Sequence, residues 1–172
     1  MKQRKPSAEA ALGNLLRGSG LTLSAAESCT GGRISHLITT VPGSSEYYLG
    51  SVTSYAVKVK EAVLGVPATI IENNGIVSSA VAEAMAEGVR ALTGSTFSVA
   101  TTGWADAYGD EREPAGTCWI AVSGPAGTES RRSTSHYGRV ANIKHFARVA
   151  LETLDRYIAE YLTNADSSNK TE

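Results

Sequence analysis

The segment Ala26-Glu27-Ser28-Cys29-Thr30-Gly31-Gly32 constrains this chain more than any other. It follows an apolar alternation at Leu21 and Leu23 and precedes Ile34, Leu37 and Ile38 at helical spacing. That order is a strand, a glycine-bearing turn, and a helix whose first turn exposes backbone N–H groups. Such a turn stabilises an anion, either a phosphate or the oxyanion of an acyl-transfer intermediate. Ser28 stands at the strand exit, where its residue type fits a helix N-cap or a nucleophile. A nucleophilic serine needs a base, and no histidine occupies a telling position. A lysine serves when it is neutral, which requires a depressed pKa. Lys58 and Lys60 both qualify by spacing, since they would share a face if the strand before them continued.

Around this nucleus the pattern predicts helices alternating with strands. A first helix begins after Ser7 and ends at Gly18 and Gly20; a strand spans Leu21–Ala25 and a second helix Gly32–Thr40. Pro42-Gly43-Ser44-Ser45 makes a turn, and Gly50–Val57 reads as a strand. Short helices at Glu61–Leu64 and Ala68–Glu72 precede a stronger one, capped by Ser78 or Ser79 and carrying Val81, Met85, Val89 and Leu92. A strand at Ser95–Thr102, a polar, mobile-looking loop at Gly103–Pro114, and strands at Thr117–Ser123 and Ser130–Tyr137 follow. The last helix, Val140–Tyr161, keeps helical period throughout. The expected fold class is α/β: a single layered α/β/α domain over 1–162 with a mixed sheet, then a disordered polar tail over 163–172.

A net charge of −1 offers no electrostatic case for nucleic acid or anionic membrane. No apolar run approaches a bilayer span, and the basic start Met1–Lys5 leads into no signal core, so a cytoplasmic protein is expected. Cys29 and Cys118 form no metal-ligand pattern and read as reduced thiols. His36, His136 and His145 lack partners at ligand spacing, so neither metal nor cofactor is expected. Gly31-Gly32 is no dinucleotide fingerprint, because the third glycine and the later acidic residue are out of register.

Taken with Pro42-Gly43-Ser44-Ser45, Tyr55 followed by Lys60, Leu64-Gly65-Val66, and Thr102-Gly103 before Pro114-Ala115-Gly116-Thr117, the chain resembles the CinA C-terminal domain family. Characterised members of that family include nicotinamide mononucleotide deamidases. The resemblance implies hydrolysis of a pyridine carboxamide to a carboxylate and ammonia; the alternatives are a catalytically silent paralogue that acts as a nucleotide-binding or regulatory module, and an amidase with a different substrate. It implies Ser28 as nucleophile, Lys60 rather than Lys58 as general base, and Tyr55 passing a hydrogen bond between them. It also implies Ser45, Thr102 and Arg139 as further site positions and a small nucleotide as substrate; Thr30, Gly31 and Gly32 are expected to bind it through the backbone N–H groups of the turn, and Arg139, beside a helix N-terminus, to clamp its phosphate. A stand-alone domain without the relatives' N-terminal pyrophosphatase domain is expected, with a homodimer as the candidate assembly. Three departures stand out: Ala56-Val57 in place of Ser-Asn, the Trp104–Asp110 loop in place of a glycine-proline-rich one, and Tyr137-Gly138-Arg139 in place of Gly-Asp-Arg. The second places Asp106 and Asp110 near a site expected to hold phosphate.

Overall fold

Strand β1, Leu23–Glu27, is buried along its whole length, and its alternation divides the core in two. The computed structural model describes residues 6–106 and 108–168. The basic start 1–5, position 107 in the polar loop, and the end of the expected tail, 169–172, lie outside the described residues. Beside β1 run β2 (Tyr48–Thr53), β3 (Phe97–Gly103), β4 (Thr117–Gly124) and β5 (Gly127–Thr134), in the order β2-β1-β3-β4-β5. β1 is parallel to both neighbours, while β4 and β5 are antiparallel, so the sheet is mixed. One face carries Leu23, Phe97, Val99, Ile120 and Val122, covered by α1 (Ala8–Leu16), α2 (Arg33–Thr39) and α6 (Arg139–Ser168). The other face is lined by Ala26, Ala100 and Ala121. Those small side chains let α5 (Ser79–Thr93) lie close, with Ser98 Oγ donating to the Ala86 carbonyl at 2.6 Å. Helices α3 (Val57–Leu64) and α4 (Ala68–Asn74) pack on α5, completing the expected α/β/α layering. Among the described residues no helix is long and apolar enough to cross a membrane.

The structure departs from the sequence reading in three places that matter. β2 stops at Thr53, not Val57, because its only neighbour, β1, ends at Glu27 opposite it. Released from the sheet, the chain starts α3 at Val57 and turns the Val-Lys alternation into helix, burying Lys60 and Leu64 at i, i+4. The polar loop is tied down over 110–113: Asp110 Oδ1 accepts the Arg112 and Glu113 N–H groups, and Arg112 Nη1 donates to the Asn73 carbonyl at 2.9 Å. Helix α6 continues to Ser168, so residues 163–168 are helical where composition suggested a disordered tail. Propagating an existing helix adds one bond per residue, and Thr163 and Ser167 return their hydroxyls to carbonyls four residues back.

α5 meets α3 at Gly88. A Cβ there would sit 2.0 Å from the Leu64 carbonyl oxygen, which belongs to rigid backbone. An alanine in an exposed helix normally gains about 1 kcal/mol over glycine. Here Gly88→Ala is expected to destabilise by about 1–3 kcal/mol through overpacking, read as a lower urea midpoint at unchanged slope.

Candidate active site

The turn after β1 is organised by Glu27, whose side chain is fully buried at the strand's end. Its carboxylate accepts the N–H groups of Gly32, Ile34 and Ser35 at 2.8–3.0 Å and the Thr30 hydroxyl at 2.7 Å. A carboxylate satisfies the unpaired donors of a helix start and suits its partial positive charge. Gly31 and Gly32 take φ values of 60° and 94°, which lets the chain double back into α2. Gly31 N–H is bonded to the Ser28 carbonyl, and Ser28 N–H to the Thr101 carbonyl. Among the described residues, that leaves the Cys29 and Thr30 N–H groups without an acceptor.

Lys60 projects from the first turns of α3 and is 0% exposed. Its Nζ donates to the Ser54 carbonyl at 2.5 Å and to Ser28 Oγ at 3.0 Å. Burial pushes its pKa from 10.5 down to about 8, opposed only by the sulfur of Cys29, which favours the charged form. Lys58 lies two positions earlier, about 200° around the helix, and is exposed. Helix geometry therefore separates the two lysines that an extended strand would have kept together.

Ser28, Cys29, Tyr55, Thr102, Trp104, Asp106 and Arg139 line a cavity of about 260 Å³ at the carboxyl ends of the parallel strands. Ile76 and Val77 give it an apolar wall. At its rim Arg139 Nη2 donates to the Tyr55 hydroxyl at 2.7 Å, and Nη1 lies 3.6 Å from Asp106 Oδ2. The Tyr55 hydroxyl and then the Asp106 charge hold the guanidinium more firmly protonated. Thr102 Oγ1 donates to the Ile76 carbonyl at 2.8 Å, leaving its lone pairs. A larger depression of about 640 Å³ between α1, α2 and α6 is lined by Arg33, Lys144, Arg148 and Glu152, none paired as nucleophile and base.

Comparison with known proteins gives the family and the fold. Residues 5–158 match the family described as the CinA C-terminal domain. The chain belongs to that family. A CinA-like protein of Salinibacter ruber is 45% identical over 152 residues, covering 88% of this chain and 37% of that protein. Another, from Desulfosudis oleivorans, is 46% identical over 150 residues, covering 86% and 36%. The chain thus spans little more than a third of the length of these curated relatives. Among solved structures, a CinA superfamily protein from Klebsiella pneumoniae 700603 superposes with a TM-score of 0.85 at 27% identity, covering 89% of this chain and 96% of that one. The competence damage-inducible protein A from Klebsiella pneumoniae MGH 78578 gives 0.85 at 29%, covering 88% and 95%.

Several positions that the CinA resemblance suggested do not meet at the cavity. Ser45 sits in a 3₁₀ turn, Ser44–Glu46, that precedes β2. Because β1 and β2 run parallel, that turn lies at the opposite end of the sheet from the Ser28 turn. Thr30, Gly31 and Gly32 are not among the lining residues; Thr30 is buried against Glu27 and Thr101, and Gly32 N–H is committed to Glu27. They shape the turn and leave the cavity face to Ser28 and Cys29. Tyr55 is 59% exposed and bonds Arg139, so it passes no hydrogen bond between Lys60 and Ser28, which touch directly. Asp110 folds onto its own loop, and only Asp106 reaches Arg139. Among the described residues no group of three His, Cys, Asp or Glu stands close enough to hold a metal ion. The residue that sequence reasoning passed over is Glu27. A carboxylate closing an apolar strand just before a glycine-led helix is the available signal.

The lysine's burial also sets a pH dependence of stability. In the unfolded chain Lys60 titrates near 10.5, and in the fold near 8, so between those values the unfolded state binds more protons and stability rises with pH. Relative to Lys60→Met, the wild type should gain stability from pH 8 to pH 10.5. Denaturation of both proteins across that range measures it, and parallel curves would contradict the burial of a titrating lysine.

Proposed function

We propose that this chain is a metal-independent serine amidohydrolase that converts nicotinamide mononucleotide to nicotinate mononucleotide and ammonia. The observation that carries the proposal is the buried Lys60 amine 3.0 Å from Ser28 Oγ, with a pKa near 8. At pH 7 about a tenth of such lysines is neutral, and the neutral amine has a lone pair for the serine proton. Ser28 Oγ attacks the carboxamide carbon as Lys60 accepts its proton. Of the two open N–H groups, that of Cys29, which lines the cavity, is the donor available to the oxyanion. Collapse expels ammonia, which takes the proton back from Lys60, and leaves an acyl-serine. Lys60 then deprotonates the water that releases the carboxylate. The small apolar-walled cavity suits a pyridine ring, Arg139 at the rim suits a phosphate, and such a substrate goes with a cytoplasmic site of action.

One observation favours a second reading, an amidase for a less anionic substrate. Arg139 is shared between Tyr55 and Asp106, so a phosphate at the rim would compete with a carboxylate already in place.

Ammonia release from nicotinamide mononucleotide, with nicotinamide riboside alongside, tests both. Ser28→Ala and Lys60→Ala should each lower turnover about a thousandfold or more, with the double variant hardly worse, because the pair acts as a unit. The wild-type rate should rise through a pKa near 8. If Ser28→Ala keeps its rate, the nucleophile is wrongly assigned. At the rim, Asp106→Gly should tighten mononucleotide binding about two- to fivefold, the range of an exposed charge pair, and barely change the riboside. Arg139→Ala should weaken the mononucleotide selectively. Equal effects on both ligands would remove the phosphate from the rim.

A further inference from the structure

The two cysteines of this chain, 89 residues apart in sequence, meet beneath the nucleophile with their sulfurs 3.6 Å apart. Cys29 follows Ser28 and lines the cavity, 5% exposed; Cys118, on β4 opposite Gly103, is fully buried. Both are free thiols. We propose that Cys29 and Cys118 are a peroxide-oxidisable pair, whose closure into a disulfide pulls the Ser28 turn away from Lys60 and silences the site. The thiol chemistry stands whether or not the amidohydrolase reading does.

Access and spacing order the steps. Hydrogen peroxide entering the cavity meets Cys29 first, because Cys118 has no exposure and its thiol is held protonated well above its usual range by burial. The Cys29 sulfur attacks one peroxide oxygen: an S–O bond forms, the O–O bond breaks, and the thiol proton leaves with the second oxygen as water. The Cys118 sulfur then attacks the sulfenic sulfur. The S–S bond forms, the S–O bond breaks, and the hydroxide leaves with the Cys118 proton as a second water. Two thiols have supplied the two electrons that reduce the peroxide. An S–S bond is about 2.05 Å long, so closure must draw the sulfurs together by more than an ångström. β4 is hydrogen-bonded on both sides, whereas Cys29 sits in a turn, so Cys29 is the residue that moves. Its backbone is continuous with that of Ser28, whose hydroxyl accepts from Lys60 Nζ at 3.0 Å.

The test exposes the full chain to hydrogen peroxide without reductant, then alkylates it under denaturing conditions for intact-mass analysis. The expected product is a monomer lighter by two hydrogens, with neither cysteine alkylated. Hydrolysis of nicotinamide mononucleotide and, independently of substrate, labelling of Ser28 by a fluorophosphonate should both fall on the order of a hundredfold, the scale of an ångström's misplacement. Both should recover with dithiothreitol. Cys118→Ala should keep the reduced protein's rate and yield a dimedone-trappable sulfenic acid at Cys29, with no species lighter by two hydrogens. Cysteines that stay alkylatable, or oxidation that links two chains, would overturn the pair. An intramolecular disulfide that leaves rate and labelling unchanged would overturn its hold on Ser28. The wild-type mass alone decides the first point should Cys118→Ala not fold.

Discussion

A carboxylate buried at the end of a strand needs several donors to offset its lost hydration. Glu27 finds them in the first turn of the next helix. Three backbone N–H groups and one hydroxyl converge on it, and each belongs to a residue that must sit in one place for the turn to close. The helix start thereby becomes a fixture of the fold, its positive end already matched by an internal charge. What remains open to a ligand is the short arc before it, where Ser28 and Cys29 face the cavity. A turn that on sequence grounds suits any anion is narrowed in this way to one small donor set.

The buried lysine is placed by a different constraint, the closeness of two helices. α5 lies against a sheet face of alanines and meets α3 through Gly88. That contact presses the buried side of α3, Lys60 and Leu64, against the core and strips water from the amine. Three neighbours contain the lysine: the Ser54 carbonyl, the Ser28 hydroxyl and the Cys29 sulfur. None is a carboxylate, so none of the three holds the proton on with a full countercharge. Depression of the pKa follows from packing alone.

The sequence made legible the features that depend on local chemistry. The strand-turn-helix around Ser28 and the α5 helix with its Ser78 cap are written in neighbouring residues and stand where expected. The features that depend on chain direction or on a distant partner were not legible. Ser45, a site position by resemblance, stands at the far end of the sheet because β1 and β2 pair in parallel. Lys58 and Lys60 could not be told apart from the residues because the strand's end is dictated by its neighbour, not by its own composition. Tyr55 is drawn to Arg139, 84 residues away, and no local pattern encodes that attraction. Glu27 lies in the most informative segment of the chain, yet its part is visible only once four donors are seen around it.

The pairing of β1 with β3 carries a consequence for the newly made chain. Ser28 and Lys60 are synthesised 32 residues apart, well before β3 exists. Yet the Ser28 turn is pinned by Thr101, through its carbonyl to Ser28 N–H and through its hydroxyl to Thr30, 71 residues further along. Such long-range closures form late, because their entropy is lost before their contacts are gained. During translation the serine and the lysine are therefore strangers, and the amine stays hydrated, charged and inert. The buried pair is assembled only with the strand that completes the sheet, so on the proposed reading an unfinished chain has no armed nucleophile to turn on its surroundings.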